Sequence, residues 1–310
     1  MNRKSKILVM MMMIITLTVG LIGCSSNKNS STKNTNVETS KYPKTITDSY
    51  GNQVELEEEP MKVVSVAPNI TEMMYALNAG DKLVARTDYC DYPEEALKLE
   101  SIGTLQTPDI EKIISLEPDV VVVSTHFDEE NSKKLSDLGI PVIGLYEEKD
   151  AYGVFDMITT LGDAMNKQQE AEKLVAEMKA TFDDVTSKVK DLEKPSVYYV
   201  VGYGESGDFT AGGDTFIGNM IDLAGGNNIA KDVSGWSYSF ESLVEADPQI
   251  IIVRNGEKDG FVAADGYQDL TAVKEGRVHE MDTNLLDRQG YRNAEGLKTL
   301  AQIFYPETFK

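Results

Sequence analysis

Two stretches of the chain carry the same alternation of polar and apolar positions. Residues 109–123 read DIEKIISLEPDVVVV and residues 239–253 read SFESLVEADPQIIIV. Each has a Glu, an apolar helix turn, a Pro seven positions after the Glu, and then a four-residue β-branched run. A run apolar at every position predicts a strand covered on both faces, as in a parallel sheet. Pro118 and Pro248 are expected to end a helix and launch that strand, because proline lacks the N–H that a helix interior needs. A strand–loop–helix pattern precedes each stretch, at residues 63–79 and 197–224, and a short strand follows each, at 141–145 and 277–281. The repeated order predicts two like α/β lobes; the alternative is two α/β segments that merely share common chemistry.

Other elements follow from shorter patterns. Residues 45–56 read as a hairpin turning at Tyr50-Gly51-Asn52. The helix after residues 63–66 is expected to be capped by Asn69 or Thr71 and stopped by Gly80. Between the halves, Ala171, Leu174, Val175, Met178, Phe182, Val185, Val189 and Leu192 form one apolar stripe, predicting a single helix over 168–192. At 1.5 Å per residue it would span roughly 37 Å, enough to bridge two lobes. Strict heptads are not kept, which disfavours a coiled coil.

The amino terminus differs from this body. Arg3, Lys4 and Lys6 precede an apolar stretch over 7–22, the pattern of a secretory signal and too short for a bilayer span. Leu21-Ile22-Gly23-Cys24 resembles the bacterial lipobox, which implies cleavage before Cys24 and lipid on its thiol. Residues 25–41 are almost wholly Ser, Asn, Thr and Lys, the composition of a flexible tether. The expected organisation is therefore a signal peptide at 1–23, a lipid-anchored tether at 24–41, lobes at 42–166 and 194–310, and a connecting helix at 167–193.

Composition narrows the function classes. The 310 residues carry a net charge of −21, which argues against a nucleic-acid binder. Two Cys make no disulfide framework, and Cys90 is expected to be a small core residue or a partly covered thiol. Neither His126 nor His279 sits in a metal-ligand spacing. Gly202-Tyr203-Gly204 lacks the rest of a dinucleotide loop, and neither a phosphate-binding loop nor a Gly-x-Ser-x-Gly elbow occurs. These patterns point to binding rather than catalysis.

The body over 43–310 resembles the substrate-binding proteins of ABC importers for metal chelates: the cobalamin, ferric-siderophore and haem receptors. The resemblance lies in VVSVAPNITE at 63–72, DYCDYP at 88–93, IGTLQTPDIEKIISL at 102–116, FTAGG at 209–213 and DRQGYRNAEGL at 287–297. The DYCDYP stretch looks most like the cobalamin branch, although cobalamin-binding members usually show Trp at the position of Leu105 and Asp at that of Asn284. The resemblance implies two Rossmann-like lobes joined by one rigid helix. It also implies a monomeric receptor outside the cytoplasm, lipid-anchored in the cell membrane, serving an ABC permease dimer and its ATPase. The bound ligand would be a corrinoid or a ferric chelate, with no cofactor and no metal held directly by the protein. Haem is the first alternative, requiring a Tyr or His axial ligand; a protein-binding surface lipoprotein is the second. One exposed Glu per lobe, Glu111 and Glu241, would dock onto the permease.

A large flat chelate needs aromatic area and a few polar contacts, drawn from loops at the strand C-termini. In the first lobe those loops hold Asn69, Tyr89, Tyr92, Leu105, His126 and Phe127; in the second, Tyr203, Phe209, Trp236, Tyr238, Arg288, Tyr291 and Arg292. Any of the rings could instead be ordinary packing, the arginines surface ion pairs, and His126 a hydrogen-bonded structural residue rather than an axial ligand. Resemblance of the DRQGYR loop to the family's C-terminal ligand loop favours Arg288 and Arg292 as pocket residues.

Overall fold

A computed structural model describes residues 42–310, apart from Glu148. The expected signal peptide, Cys24 and the tether lie outside the described residues. In chain order the strands are β1 (Lys44–Thr47), β2 (Gln53–Leu56), β3 (Val63–Ser65), β4 (Leu83–Arg86), β5 (Glu100–Ser101), β6 (Val120–Val123) and β7 (Val142–Gly144). The second half adds β8 (Ser196–Tyr199), β9 (Asp208–Phe209), β10 (Asn227–Asn228), β11 (Ser237–Tyr238), β12 (Ile250–Arg254) and β13 (Val278–Met281).

The first lobe is built on a parallel sheet ordered β5-β4-β3-β6-β7, and the second on a parallel sheet ordered β10-β8-β12-β13. Strands β1 and β2 form the expected hairpin, pairing Lys44 with Leu56 and Thr47 with Gln53. In each sheet chain order reverses at the central pair, β3/β6 and β8/β12, where a crevice opens beyond the strand C-termini. The uniformly apolar runs are explained by double coverage. Val120 and Val122 face the main core, while Val121 and Val123 face a second cluster with Ile113 and Leu135. Ile250 and Ile252 face the main core, and Ile251 and Val253 face a cluster with Tyr198 and Phe261.

The sequence echo extends to backbone detail. Asp109 caps the helix Ile110–Ser115 by accepting from Lys112 N, and Ser239 caps Phe240–Ala246 by accepting from Ser242 N. Glu117 and Asp247, each just before the shared proline, both adopt left-handed backbone, with φ of 49° and 36°. The prolines therefore follow a reversal already made one residue earlier.

Two expected helix ends are corrected. The helix Pro68–Ala76 has Pro68 in its first turn and no side-chain cap. Thr71 instead donates to Ser65 Oγ, and Asn69 reaches across to Gln289 O. Gly80 does not stop this helix; Asn78 does, at φ 53°, and Gly80 opens a short 3-10 turn over Gly80–Lys82. The long helix covers Gln168–Val189, 22 residues or about 33 Å, shorter than its stripe predicts. Its buried face (Ala171, Val175, Met178, Phe182, Val185, Val189) lies in a cluster that also holds Val63 and Val120 of the first sheet, Val197 and Ile252 of the second, and Leu297 and Leu300 of the helix Asn293–Phe304. The lobes thus share one core.

Candidate functional site

A cavity of roughly 960 Å³ lies between the lobes, lined from both. Its walls come from segments that leave the strand C-termini: Pro68 and Asn69 after β3, Ser124 to His126 after β6, Glu147 after β7, Val200 and Val201 after β8, and Thr283 after β13. This placement follows from topology, since side chains leaving a parallel sheet on one edge converge where chain order reverses.

Of the residues expected there, Asn69, Tyr89, Leu105, His126, Trp236 and Arg288 line the cavity. Trp236 is 45% exposed and Tyr89 48%, so each lobe presents an open ring at the site. His126 Nδ1 lies 2.9 Å from Thr125 Oγ1. Among the described residues no group of three or more His, Cys, Asp or Glu side chains is disposed to hold a metal ion.

The other expected residues lie elsewhere, for identifiable reasons. Tyr203 packs edge-on against Phe261 and Tyr267, and Tyr238 tilts against Tyr198, so both rings fill the second lobe's outer core. Phe127 packs against the first lobe's outer core, and Tyr291 against the shared core. The Phe209 ring lies over Gly202, where an added Cβ would come within 3.2 Å of it. Tyr92 sits under the Arg292 guanidinium, 4.4 Å from its ring centre. Arg292 itself is spent on Glu72 Oε1 at 3.2 Å and Asp282 Oδ2 at 3.1 Å.

Several lining residues were not anticipated. Gln289 bridges the lobes: its Oε1 accepts from Glu147 N at 3.0 Å, its Nε2 donates to Glu147 O, and its own carbonyl accepts from Asn69 Nδ2 at 3.1 Å. The amide thus pairs with a peptide unit as a neighbouring strand would. Beside it Asp287 accepts from the Tyr199 hydroxyl at 3.2 Å and lies 3.4 Å from Arg254 Nη2. Asp287 is hemmed in by protein yet open on the cavity side, and this desolvation raises its carboxyl, against the pull of Thr283 and Arg254. Gln289 and Asp287 both fall within the DRQGYR loop, which signals them; nothing in the sequence around Glu147 does.

Arg288 connects the cavity to an ion cluster. Its Nη1 donates to Glu72 Oε1 at 2.8 Å and Asp91 Oδ1 at 2.7 Å. Burial pushes the Glu72 carboxyl up, and the two guanidiniums draw it only part of the way back. Asp91 also loses solvation, but the bond and charge of Arg288 hold its carboxyl below the usual range.

The family profile described as "Periplasmic binding protein" matches residues 63–285. The "Uncharacterized ABC transporter substrate-binding lipoprotein YvrC" of Bacillus subtilis (strain 168) is 34% identical over 300 residues, covering 94% of this chain and 95% of its own. Among solved structures, the apo haem-binding protein RhuT from Roseiflexus sp. RS-1 superposes with a TM-score of 0.73 at 25% identity, over 80% of this chain and 98% of that one. The vitamin B12 binding protein BtuF of Vibrio cholerae gives a TM-score of 0.71 at 25% identity, over 80% and 97%.

Proposed function

Because the chain belongs to the periplasmic binding protein family, we propose that it is the extracytoplasmic substrate-binding component of an ABC importer that captures a metal chelate, a corrinoid or a ferric chelate, between its lobes. Residues 42–166 and 194–310 would be the two ligand-holding lobes, 167–193 the connector, and 1–41 the export signal and lipid-anchored tether, with Cys24 carrying the lipid. The role is carriage to a permease dimer and its ATPase, without chemistry on the ligand.

The observation that carries this reading is the interlobe cavity, which offers an open ring from each lobe, Tyr89 and Trp236, beside polar groups from both. Flat conjugated chelates bind such surfaces by stacking while edge groups take hydrogen bonds. Haem is the second reading, favoured by Tyr89 and His126, two side chains able to ligate iron that line the same cavity.

Trp236 is the only tryptophan, so ligand titration followed by its fluorescence tests the proposal. A corrinoid or ferric chelate should quench emission saturably and raise the melting temperature. Silence from every chelate, haem included, at saturating concentration would defeat the reading, and a response to haem alone would select the second.

A further inference from the structure

The cavity brings together three cations, Lys149, Arg254 and Arg288, and three carboxylates, Glu147, Asp214 and Asp287. Both guanidiniums face carboxylates, Arg288 two of them and Arg254, 59% exposed, one through a single nitrogen. Arg254 Nη2 faces Asp287 Oδ2 at 3.4 Å. Arg288 is held by Glu72 and Asp91, and its Nη2 points to Tyr89 O at 3.4 Å. A site built for carboxylate or phosphate leaves an arginine fork free for bidentate contact. Here protein carboxylates neutralise Arg288 from the buried side and Arg254 from one end of its fork. Glu72 is only 3% exposed, so little solvent screens its charge from the Arg288 beside it. Lys149 shares the cavity wall with Asp214, which accepts from the Ser234 hydroxyl at 2.5 Å and from Gly235 N at 2.8 Å. Around the site, a chain of net charge −21 repels anions at longer range.

We infer that the cavity selects an electroneutral chelate over an anionic one, and that Glu72 and Asp287 set this selection by neutralising Arg288 and Arg254. The inference rests on the chelate reading above and names the charge class within it. An anionic ligand would have to sit against carboxylates that cannot withdraw, whereas a neutral one meets paired charges acting as hydrogen-bonding dipoles. Glu72 does not line the cavity; it acts through Arg288 and is a positioning residue.

The test uses the full chain in mild detergent and four probes. Two are neutral, cyanocobalamin and an uncharged ferric tris-hydroxamate. Two are anionic, haemin and a ferric tris-catecholate. At least one neutral probe should bind about 100-fold more tightly than either anion, the effect of like charges brought together. Glu72→Gln and Asp287→Asn should each narrow that ratio about tenfold, mainly by gaining affinity for the anions, whereas a purely structural role would weaken all probes alike. Should Glu72→Gln fail to fold, Asp287→Asn, on the open cavity wall, supplies the same readout.

An anionic probe that binds more tightly than both neutral ones overturns the inference and leaves the chelate reading standing. A neutral preference that no folded variant narrows overturns the role given to the two carboxylates. If none of the four probes binds, the chelate reading fails and the inference falls with it.

Discussion

The carboxylate of Glu72 lies 2.8 Å from the guanidinium of Arg288, joining residues 216 positions apart with 4% and 13% of their side chains exposed. A pair so far withdrawn from water is poorly replaced by half of itself. Glu72→Ala should leave Arg288 to the more exposed Asp91 and Arg292 to Asp282, with no buried carboxylate between them, and cost up to about 3–5 kcal/mol of stability. Denaturant unfolding measures this directly; a loss under about 1 kcal/mol would mean the pair behaves as a solvent-screened surface bridge.

The shifted carboxylates divide into two groups with opposite pH dependence. Burial raises Glu72, Asp208 and Asp287, so in the folded state they hold protons that the unfolded chain releases, and stability falls as pH rises through their range. Glu59 and Asp91 are lowered, Glu59 chiefly by its Lys82 hydrogen bond and Asp91, despite desolvation, by Arg288. Their contribution is present above the unfolded carboxylate range and is lost as pH falls through the folded one. Burial lowers His279, which opposes the raised carboxylates by adding stability as pH rises through the imidazole range. Glu72→Gln and Asp287→Asn should therefore each reduce the loss of melting temperature on raising pH, and Asp91→Asn the loss on lowering it. Unchanged pH profiles in all three variants would contradict this assignment.

The two left-handed residues before the shared prolines should respond differently to glycine. Glu117→Gly relieves a Cβ clash costing roughly 1–2 kcal/mol, offset by glycine's backbone entropy, for a net gain of about 0.5–1 kcal/mol. Asp247 holds Thr271 through both N and Oγ1, at 2.9 and 2.6 Å, so Asp247→Gly gives up those bonds and should not stabilise. Equal shifts in the two melting temperatures would argue against backbone strain as the controlling factor.

Glu111 and Glu241 occupy the first turns of equivalent helices and are exposed, Glu111 reaching Lys134 at 2.6 Å. Helix-dipole stabilisation accounts for roughly 0.3–1 kcal/mol at each position. Paired contacts to a two-fold permease would give them a second use. Glu111→Ala combined with Glu241→Ala should keep ligand affinity and nearly all stability yet strongly reduce uptake. Wild-type uptake by the double variant would leave only the dipole role.

Cys24→Ala should yield a chain that is exported but partitions into the aqueous phase of a detergent extraction, because acylation needs the thiol. Retention in the detergent phase equal to wild type would place the anchor elsewhere.

The parts of the fold readable from sequence are those where burial leaves no choice. A run such as Val120–Val123 has no polar position to offer solvent, so only a doubly covered strand suits it. Helix ends were less legible because candidates compete locally: Asn78 takes the left-handed turn before Gly80 is reached. The site divides the same way. Trp236 and Tyr89 belong to loops that topology delivers to the cavity, whereas Tyr203 and Tyr238 meet partner rings that no local pattern announces. The Gln289–Glu147 pairing joins positions 142 residues apart; the DRQGYR loop marks Gln289, but nothing marks Glu147 as its partner.

The core that runs from Val63 through Phe182 to Leu300 ties the two lobes together through the long helix. Cutting the chain on either side of the long helix would strip an apolar stripe from one half and leave it bare in water. Neither half is then a viable fragment. The same continuity bears on unloading: prising the lobes apart disturbs the packing of the shared core, so surrendering the ligand calls for work done on the protein from outside rather than a swing it makes unaided.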